Sequence, residues 1–478
     1  MSRRPQVPDR SLAALRRFGG LVGGLAAMVL AGCPKAPSAP APVAGWPAAQ
    51  VSITATTAAI RSVAVDAQGG LAVAVGQHGP LRIADKASDA TGDATAIARL
   101  APGGGRVTWL RTIAGTPGPI AIAGDRVVAA LGATGELVIG DRRFALRGAP
   151  GALIVSLFDK DGSVRWADTL GATDWVQVAS LTAMPDGGVV AGGGFAGTLR
   201  VGAATVTSAG SSDGWVARLG ADGAVRWLVR LGGHDGDSVA GVAAAGDQVA
   251  IAGTFTGDAE LRGTALEPID ADSAQPDGFV ALLDASGAPA WAHRFGSAVD
   301  DQVAGVAVTR DGHVAVAATV RDMAYLGSAM AMVTAGGIDS FEGHGAADGL
   351  VAIWDARGSL SGSVMIGGTD YDGLRAIAAH GDELVVGGWF AGAMDVAGTR
   401  LTAGGGDDAF VAVVDTTAHV SQALAVSGDG REDVPALAAG LGGWVAALGF
   451  TAAASLGDTR FAAPADPGGG AAIVVRAR

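Results

Sequence analysis

Four copies of one apolar segment decide the fold: DGWVARLG starts at Asp213, DGFVALLD at Asp277, DGLVAIWD at Asp348 and DAFVAVVD at Asp408. Each copy is a run of small and β-branched residues bounded by Gly and Asp, with the length of a buried strand rather than of a helix. Looser copies start at Ala94, Gly151 and Ala472, so the segment occurs seven times. This recurrence predicts a fold built from repeated strands.

Three further segments recur in the same order. The first is a strand centred on a tryptophan, usually with a Gly four residues before it. The second is small and apolar, as in SVAGVAA from Ser238, and the third alternates, as in QVAIAG from Gln248. The tryptophan copies are Trp46, Trp109, Trp166, Trp227 and Trp291, with Gly362 and Gln422 at the equivalent positions of the later repeats.

Four short strands in each repeat are the content of one propeller blade. The repeats begin with the strand of Trp46 and end with AAIVVRA from Ala471, so the N-terminal strand is expected to complete the last blade. We therefore predict an all-β, seven-bladed β-propeller of four-stranded blades over residues 46–478, closed by that strand. A further recurrence, as in TLRVGAATV from Thr198, predicts a Gly-turned ribbon in the connecting loops that adds surface on one face of the ring.

The N-terminal region carries an export signal. Arg16 and Arg17 precede an apolar stretch that is short for a membrane span, as in a signal peptide over residues 1–32. The next residues, Leu-Ala-Gly32-Cys33, contain the one cysteine of the chain. This sequence resembles the lipobox of bacterial lipoproteins. The resemblance implies cleavage between Gly32 and Cys33, acylation of Cys33 with palmitate-like chains, and anchoring in the outer membrane, since Pro34 and not Asp follows the cysteine. Residues 33–45 are then a Pro- and Ala-rich tether.

The repeats resemble two groups of propellers. As a set they resemble the seven-bladed repeat of secreted and lipid-anchored proteins of myxobacteria and Bacteroidetes. The pattern D-x-x-G-x-x-x-W, as at Asp284 to Trp291, also resembles the tryptophan-docking motif of quinoprotein-type propellers. That second resemblance implies that the tryptophans pack between blades. Some members bind pyrroloquinoline quinone, but they use a vicinal cysteine pair that a chain with one cysteine lacks, so we expect no cofactor.

The charge of the chain limits its partners. The formal net charge is −13, which argues against nucleic acid, because nucleic-acid binding depends on clustered Lys and Arg. Acidic residues recur before the small apolar segment, at Asp237, Asp301, Asp372 and Glu432. These residues are weak candidates for a Ca²⁺ site, since hard cations prefer carboxylate oxygens. The favoured interpretation is that they bind backbone N–H groups in repeated turns, with no metal.

The sequence offers no catalytic residues, so we predict a binding or scaffolding module of the cell envelope that is not an enzyme. Its expected partners are envelope proteins or polysaccharide, and its contact with the membrane is through the lipid anchor alone. Two alternatives remain open. One is a lyase or glycosidase that uses carboxylates in the central depression. The other is an assembly factor for outer-membrane proteins, of the quinoprotein-like propeller type.

Overall fold

The computed structural model describes residues 48–88, 90, 92–146, 151–158, 160–270, 274–297, 300–321, 324–326, 347–440, 443–457, 459–464 and 470–477. Every regular element in these residues is a β-strand, and none is a helix that could cross a bilayer. The predicted signal peptide, Gly32, Cys33, the tether and Trp46 lie outside the described residues.

The strands are short, and they follow one another through tight turns. The first half of the chain contains β1 (Ala48–Val65), β2 (Leu71–Ile83), β3 (Lys86–Ser88), β4 (Asp93–Leu100), β5 (Val107–Ile113), β6 (Thr116–Ala123), β7 (Arg126–Ala133), β8 (Glu136–Ile139), β9 (Arg142–Ala145), β10 (Gly151–Phe158), β11 (Val164–Leu170), β12 (Trp175–Ala183), β13 (Val189–Ala196), β14 (Thr198–Val201), β15 (Ala204–Thr207), β16 (Asp213–Leu219), β17 (Val225–Gly233) and β18 (Ser238–Ala245). The second half contains β19 (Gln248–Phe255), β20 (Ala259–Leu261), β21 (Thr264–Leu266), β22 (Asp277–Leu283), β23 (Pro289–Gly296), β24 (Gln302–Val308), β25 (Val314–Val320), β26 (Tyr325–Leu326), β27 (Asp348–Trp354), β28 (Leu360–Ile366), β29 (Gly373–His380), β30 (Glu383–Phe390), β31 (Ala393–Val396), β32 (Thr399–Thr402), β33 (Asp408–Asp415), β34 (Val420–Gly428), β35 (Glu432–Gly440), β36 (Gly443–Phe450), β37 (Ala454–Leu456), β38 (Thr459–Phe461) and β39 (Gly470–Ala477).

The described strands pair antiparallel and are arranged as a β-propeller, which confirms the predicted fold class. In most sheets the strands follow chain order from the centre outward, as in β12-β13-β16-β17 and β29-β30-β33-β34. The inner strands contact one another in a closed cycle, in the order β1, β6, β12, β18, β24, β29, β35 and back to β1. The sheets therefore radiate from a central axis as blades do.

The predicted number of separate blades is wrong. Strand pairing gives six sheets of four or more strands instead of seven, because one sheet has eight strands. The cause is β1, which is continuous through two groups of strands: residues 48–53 pair with β39 and residues 53–65 pair with β2. No Gly, Pro or Asp interrupts β1, so the chain has no turn at which the two groups could separate. The pairing of β1 with β39 also closes the ring.

The Gly-turned ribbons are two-stranded hairpins that lie on the outer edges of the sheets. β20 pairs with β17, and β37 pairs with β34, so each hairpin extends the sheet that precedes it in the chain. Isolated bridges from Arg200 to Gly171 and from Met394 to Gly368 place two more hairpins in the same way. The ribbons therefore cover outer strands, whose free N–H and C=O groups would otherwise be exposed, instead of adding surface to one face.

The hydrophobic core lies between neighbouring sheets. One cluster joins Val128 of β7, Val176 of β12 and Trp215 of β16, which belong to two successive sheets, and all three are at most 1% exposed. We call each region where two neighbouring sheets pack together a joint. Equivalent clusters fill the other joints. Packing between sheets thus stabilises the ring, and each sheet depends on its neighbours.

Candidate functional site

A central cavity of about 850 Å³ lies on the ring axis. Its wall is made of small, mostly uncharged residues from every inner strand. The segments that line it are residues 61–63, 116–120, 177–182, 240–244, 304–308, 375–379, and 435–437 with Ala439. The cavity is therefore a property of the whole ring and not of one sheet.

Each inner strand has an irregular register where it faces the cavity. The extra residues lie between Ile60 and Ser62, Pro117 and Ile120, Val178 and Ser180, Val239 and Gly241, Val303 and Gly305, Leu374 and Ala376, and Asp433 and Ala436. A bulge removes one residue from the ladder and increases the local twist of the strand.

Side chains next to these bulges connect neighbouring inner strands. The N–H of Ile120 donates to the Ser62 hydroxyl oxygen at 3.1 Å, and the N–H of Val242 donates to the Ser180 hydroxyl oxygen at 3.1 Å. Both bonds join one inner strand to the next inner strand along the chain. They give two backbone N–H groups at the wall a hydroxyl acceptor on the neighbouring strand.

Two arginines are the charged groups among the described residues that line the cavity. The guanidinium of Arg375 stacks over the ring of Trp389 at 4.6 Å, and its Nε lies 3.8 Å from a carboxylate oxygen of Asp433. Arg61 is exposed and has no ion pair with a described residue. No described lining residue is Asp or Glu, so the carboxylates that a lyase or glycosidase would use are not among them.

The four predicted acidic residues lie at the joints between sheets, where each meets an Asp of the preceding sheet. We call these the acid pairs, and all eight carboxyl groups belong to residues at most 7% exposed. The pairs are Asp213 with Asp237, Asp277 with Asp301, Asp348 with Asp372, and Asp408 with Glu432.

In three of the pairs the second Asp binds the backbone. Asp237 accepts hydrogen bonds from the N–H groups of Gly233 at 2.7 Å and Thr256 at 3.1 Å. Asp301 accepts from the N–H and the hydroxyl of Ser297, at 2.7 and 2.8 Å. Asp372 accepts from Gly368 at 2.5 Å and Ala391 at 2.9 Å. The contacts in these three turns are those of an Asp that fixes a tight turn.

Burial raises the pKa of several of these carboxyl groups. Desolvation is the main cause, and the neighbouring carboxylate adds to it. The pKa of Asp237 rises to about 6, and the pKa values of Asp301 and Asp348 rise to about 7. The pKa of Glu432 rises to about 8. Within the described residues, no three His, Cys, Asp or Glu side chains converge as a metal site.

Four of the predicted tryptophans are described, and they lie on outer strands, against a turn of the next sheet. The indole N–H groups of Trp166, Trp227 and Trp291 donate to the carbonyl oxygens of Ala221, Ala285 and Ala356 at 3.1, 3.1 and 3.2 Å. Trp109 is 4% exposed and faces Gly162 of the following sheet.

One glycine shows why these turns require Gly. Gly223 has a φ of +84°, and a Cβ built on it would lie 2.8 Å from a ring carbon of Trp166. A side chain there would meet both backbone strain and the indole. The Gly of the repeated Gly-and-Trp pattern therefore leaves space for the tryptophan of the preceding sheet.

Sequence reasoning missed the partners in the acid pairs. The recurring segments predict only that strands begin at Asp213, Asp277, Asp348 and Asp408. The signal was present, because each of them precedes its partner by the same number of residues. A constant spacing between two recurring acids indicates one repeated contact.

Comparisons with known proteins match the chain to solved structures alone. No protein-family model and no curated protein matches it. BamB from Moraxella catarrhalis is 12% identical, over 88% of this chain and 99% of that chain, with a TM-score of 0.36. The Dos1 propeller is 10% identical, over 88% of this chain and 94% of that chain, with a TM-score of 0.42. A europium-containing methanol dehydrogenase is 11% identical, over 83% and 84% of the two chains, with a TM-score of 0.35.

Proposed function

We propose that the protein is a non-enzymatic propeller of the cell envelope that binds a protein or polysaccharide partner at its central cavity. The observation that carries this proposal is the cavity wall: every inner strand contributes small residues to it, and Ser62, Thr116, Ser180 and Thr182 add hydroxyl groups from three of these strands. A partner inserted there meets backbone and small side chains on all sides, and short polar side chains on the part of the wall formed by β1, β6 and β12. Such a wall recognises shape and a few polar groups, as binding clefts do.

The two arginines of the wall indicate the charge of the chemical group through which the partner binds. The chain as a whole is acidic, with a net charge of −13, so a strongly anionic partner is repelled at long range. Within the cavity the charged lining side chains are Arg61 and Arg375. The partner that fits is a protein segment or glycan that brings one or two carboxylates to Arg61.

The rest of the proposal concerns location. We propose that signal peptidase cleaves between Gly32 and Cys33, that Cys33 is acylated, and that residues 33–45 tether the ring to the outer membrane. Replacing Cys33 with Ala should remove the lipid mass and release the protein from membranes.

The test is capture of envelope proteins and polysaccharides by the full-length protein purified in detergent. We expect Arg61→Gln to weaken capture about tenfold, the loss of one charge-assisted contact. Arg357→Gln is the matched control, since Arg357 is exposed in the turn between β27 and β28, outside the cavity wall. Equal capture by both variants would remove the cavity from the proposal. Cleavage of a captured polysaccharide would favour the lyase or glycosidase alternative instead.

A further inference from the structure

The last acid pair lies where the ring closes. Asp408 is the first residue of β33, and Glu432 is the first residue of β35 in the eight-stranded sheet. That sheet also contains β1 and β39, which join the two ends of the ring. Any ligand held by this pair would therefore connect the closing sheet to the sheet before it.

The oxygen atoms of this pair are buried and lack hydrogen-bond donors. Asp408 is 0% exposed and Glu432 is 3% exposed. The two carboxyl groups lie within hydrogen-bond reach of each other, and both carboxyl oxygens of Glu432 and Oδ1 of Asp408 accept no hydrogen bond from any other described residue. Only Oδ2 of Asp408 accepts a bond, from the N–H of Gly404 at 3.0 Å. Leaving buried carboxyl oxygens without partners is costly in free energy.

The other joints show what is different here. Asp237, Asp301 and Asp372 each accept a bond from the N–H four residues earlier, at Gly233, Ser297 and Gly368. The equivalent N–H before Glu432 belongs to Gly428, and Glu432 does not accept from it. The extra methylene of Glu carries the carboxyl group past this N–H.

Gly428 packs closely against this pair and leaves no room for a side chain of its own. A Cβ built on Gly428 would lie 2.7 Å from Oε1 of Glu432 and would clash with the carbonyl oxygen of Ala453. The carboxyl group and this carbonyl oxygen thus approach the same side of Gly428. The nearest arginine in sequence, Arg431, donates to Asp407 at 2.6 Å on the exposed side, so it does not neutralise the pair.

We propose that Asp408 and Glu432 bind one hard divalent cation, Ca²⁺ or one of similar chemistry, at this joint. The unpartnered groups are all oxygens, which are the ligands that such cations prefer, and two carboxylates balance a double positive charge. Ca²⁺ tolerates irregular coordination, so the Ala453 carbonyl oxygen and water can complete its shell. This site is independent of partner binding at the cavity.

The test measures thermal unfolding of the full-length protein in chelator and then in millimolar CaCl₂ or MgCl₂. Wild type should gain about 3 °C with a saturating cation, given the length of the chain. Glu432→Gln, which has the same shape and no charge, should gain nothing. In chelator it should be at least as stable as wild type, so the order of the two proteins reverses when the cation is added.

Asp301→Asn is the matched control, since the oxygens of Asp301 are already bound to Ser297, and it should respond to the cation as wild type does. Isothermal titration calorimetry of folded wild type should give one site per chain that Glu432→Gln lacks. The proposal is overturned if wild type shows no cation-dependent stabilisation, or if Glu432→Gln responds as strongly as wild type. In that case a shared proton, and not a metal, neutralises the pair.

Discussion

The joints between sheets and the wall of the cavity use the same strands in different ways. At the joints, tryptophans dock on turns, carboxyl groups are buried in pairs and hairpins cover edges. At the wall, the residues are small and neutral except for two arginines. The difference teaches that the specific side-chain contacts that stabilise this ring are concentrated at the joints, and that the wall carries few of them. Substitutions at joints should therefore cost the most stability, and substitutions at the wall should cost less.

The largest loss of stability should come from a docked tryptophan. Trp166→Ala removes the partly buried indole that packs against Gly223 and the core cluster of the joint. We expect a loss of about 3 kcal/mol in the free energy of unfolding, measured by urea denaturation. Trp166→Phe keeps most of the packing and loses the bond to Ala221, so it should lose about 1 kcal/mol. A loss in Trp166→Ala no larger than in Trp166→Phe would contradict docking as the main role.

A pH-dependent effect should follow at the Asp301 joint. The pKa of Asp301 is raised to about 7 from a usual value of 3.8, mainly by burial. The folded state therefore holds a proton that the unfolded chain releases, and the free energy of unfolding falls as the pH rises from about 4 to about 7.

Asp301→Asn mimics the protonated form, and its amide can still pair with Ser297. We expect the variant to exceed wild type by about 2 kcal/mol near pH 8 and to match it near pH 4. The measurement is thermal unfolding across that range. A difference that does not change with pH would show that Asp301 is ionised in the folded protein.

A smaller effect on stability is expected from a hydrogen bond that joins two inner strands at the wall. Ser180→Ala leaves the N–H of Val242 without its acceptor, which should cost about 1 kcal/mol. Ser163→Ala is the control, because that hydroxyl donates to Asp161 in an exposed turn and its loss should stay within about 0.5 kcal/mol. Urea denaturation of both variants checks this, and equal losses would mean that the Ser180 bond does not join the inner strands.

The smallest effect on stability should come from the group proposed to bind the partner. Arg61 is exposed on the wall and has no ion pair with a described residue. Arg61→Gln should change the free energy of unfolding by no more than about 0.5 kcal/mol. If it destabilises the protein by much more, Arg61 supports the ring, and its effect on capture would have to be reinterpreted.

Much of the fold could be predicted because each strand is determined by a pattern of residues that are adjacent in the sequence. The four segments that open with Asp213, Asp277, Asp348 and Asp408 are strands that begin at those residues. The number of sheets was wrong because strand pairing is not local. β1 runs without a turn residue through two groups of strands, and the absence of a turn in this stretch was the available signal.

The site was less predictable, for a physical reason. The acid pairs form across joints, so the residues that flank one acid in the sequence do not indicate which residue is its partner. The bulges at the cavity arise where strands curve around a ring, and Ala179 or Ala240 in such a bulge looks like any alanine of a strand. Recurrence at constant spacing is the one sequence feature that could have identified either.

The closure of the ring through β1 and β39 also has a kinetic consequence. These two strands pair residues from opposite ends of the described chain, and contacts of such long sequence separation form slowly because loop closure must precede them. While the chain is being made, the sheets near β1 lack their last partner. We expect an open arc with exposed strand edges to be the long-lived folding intermediate, and refolding should show one slow phase that disappears when β1 and β39 are covalently joined.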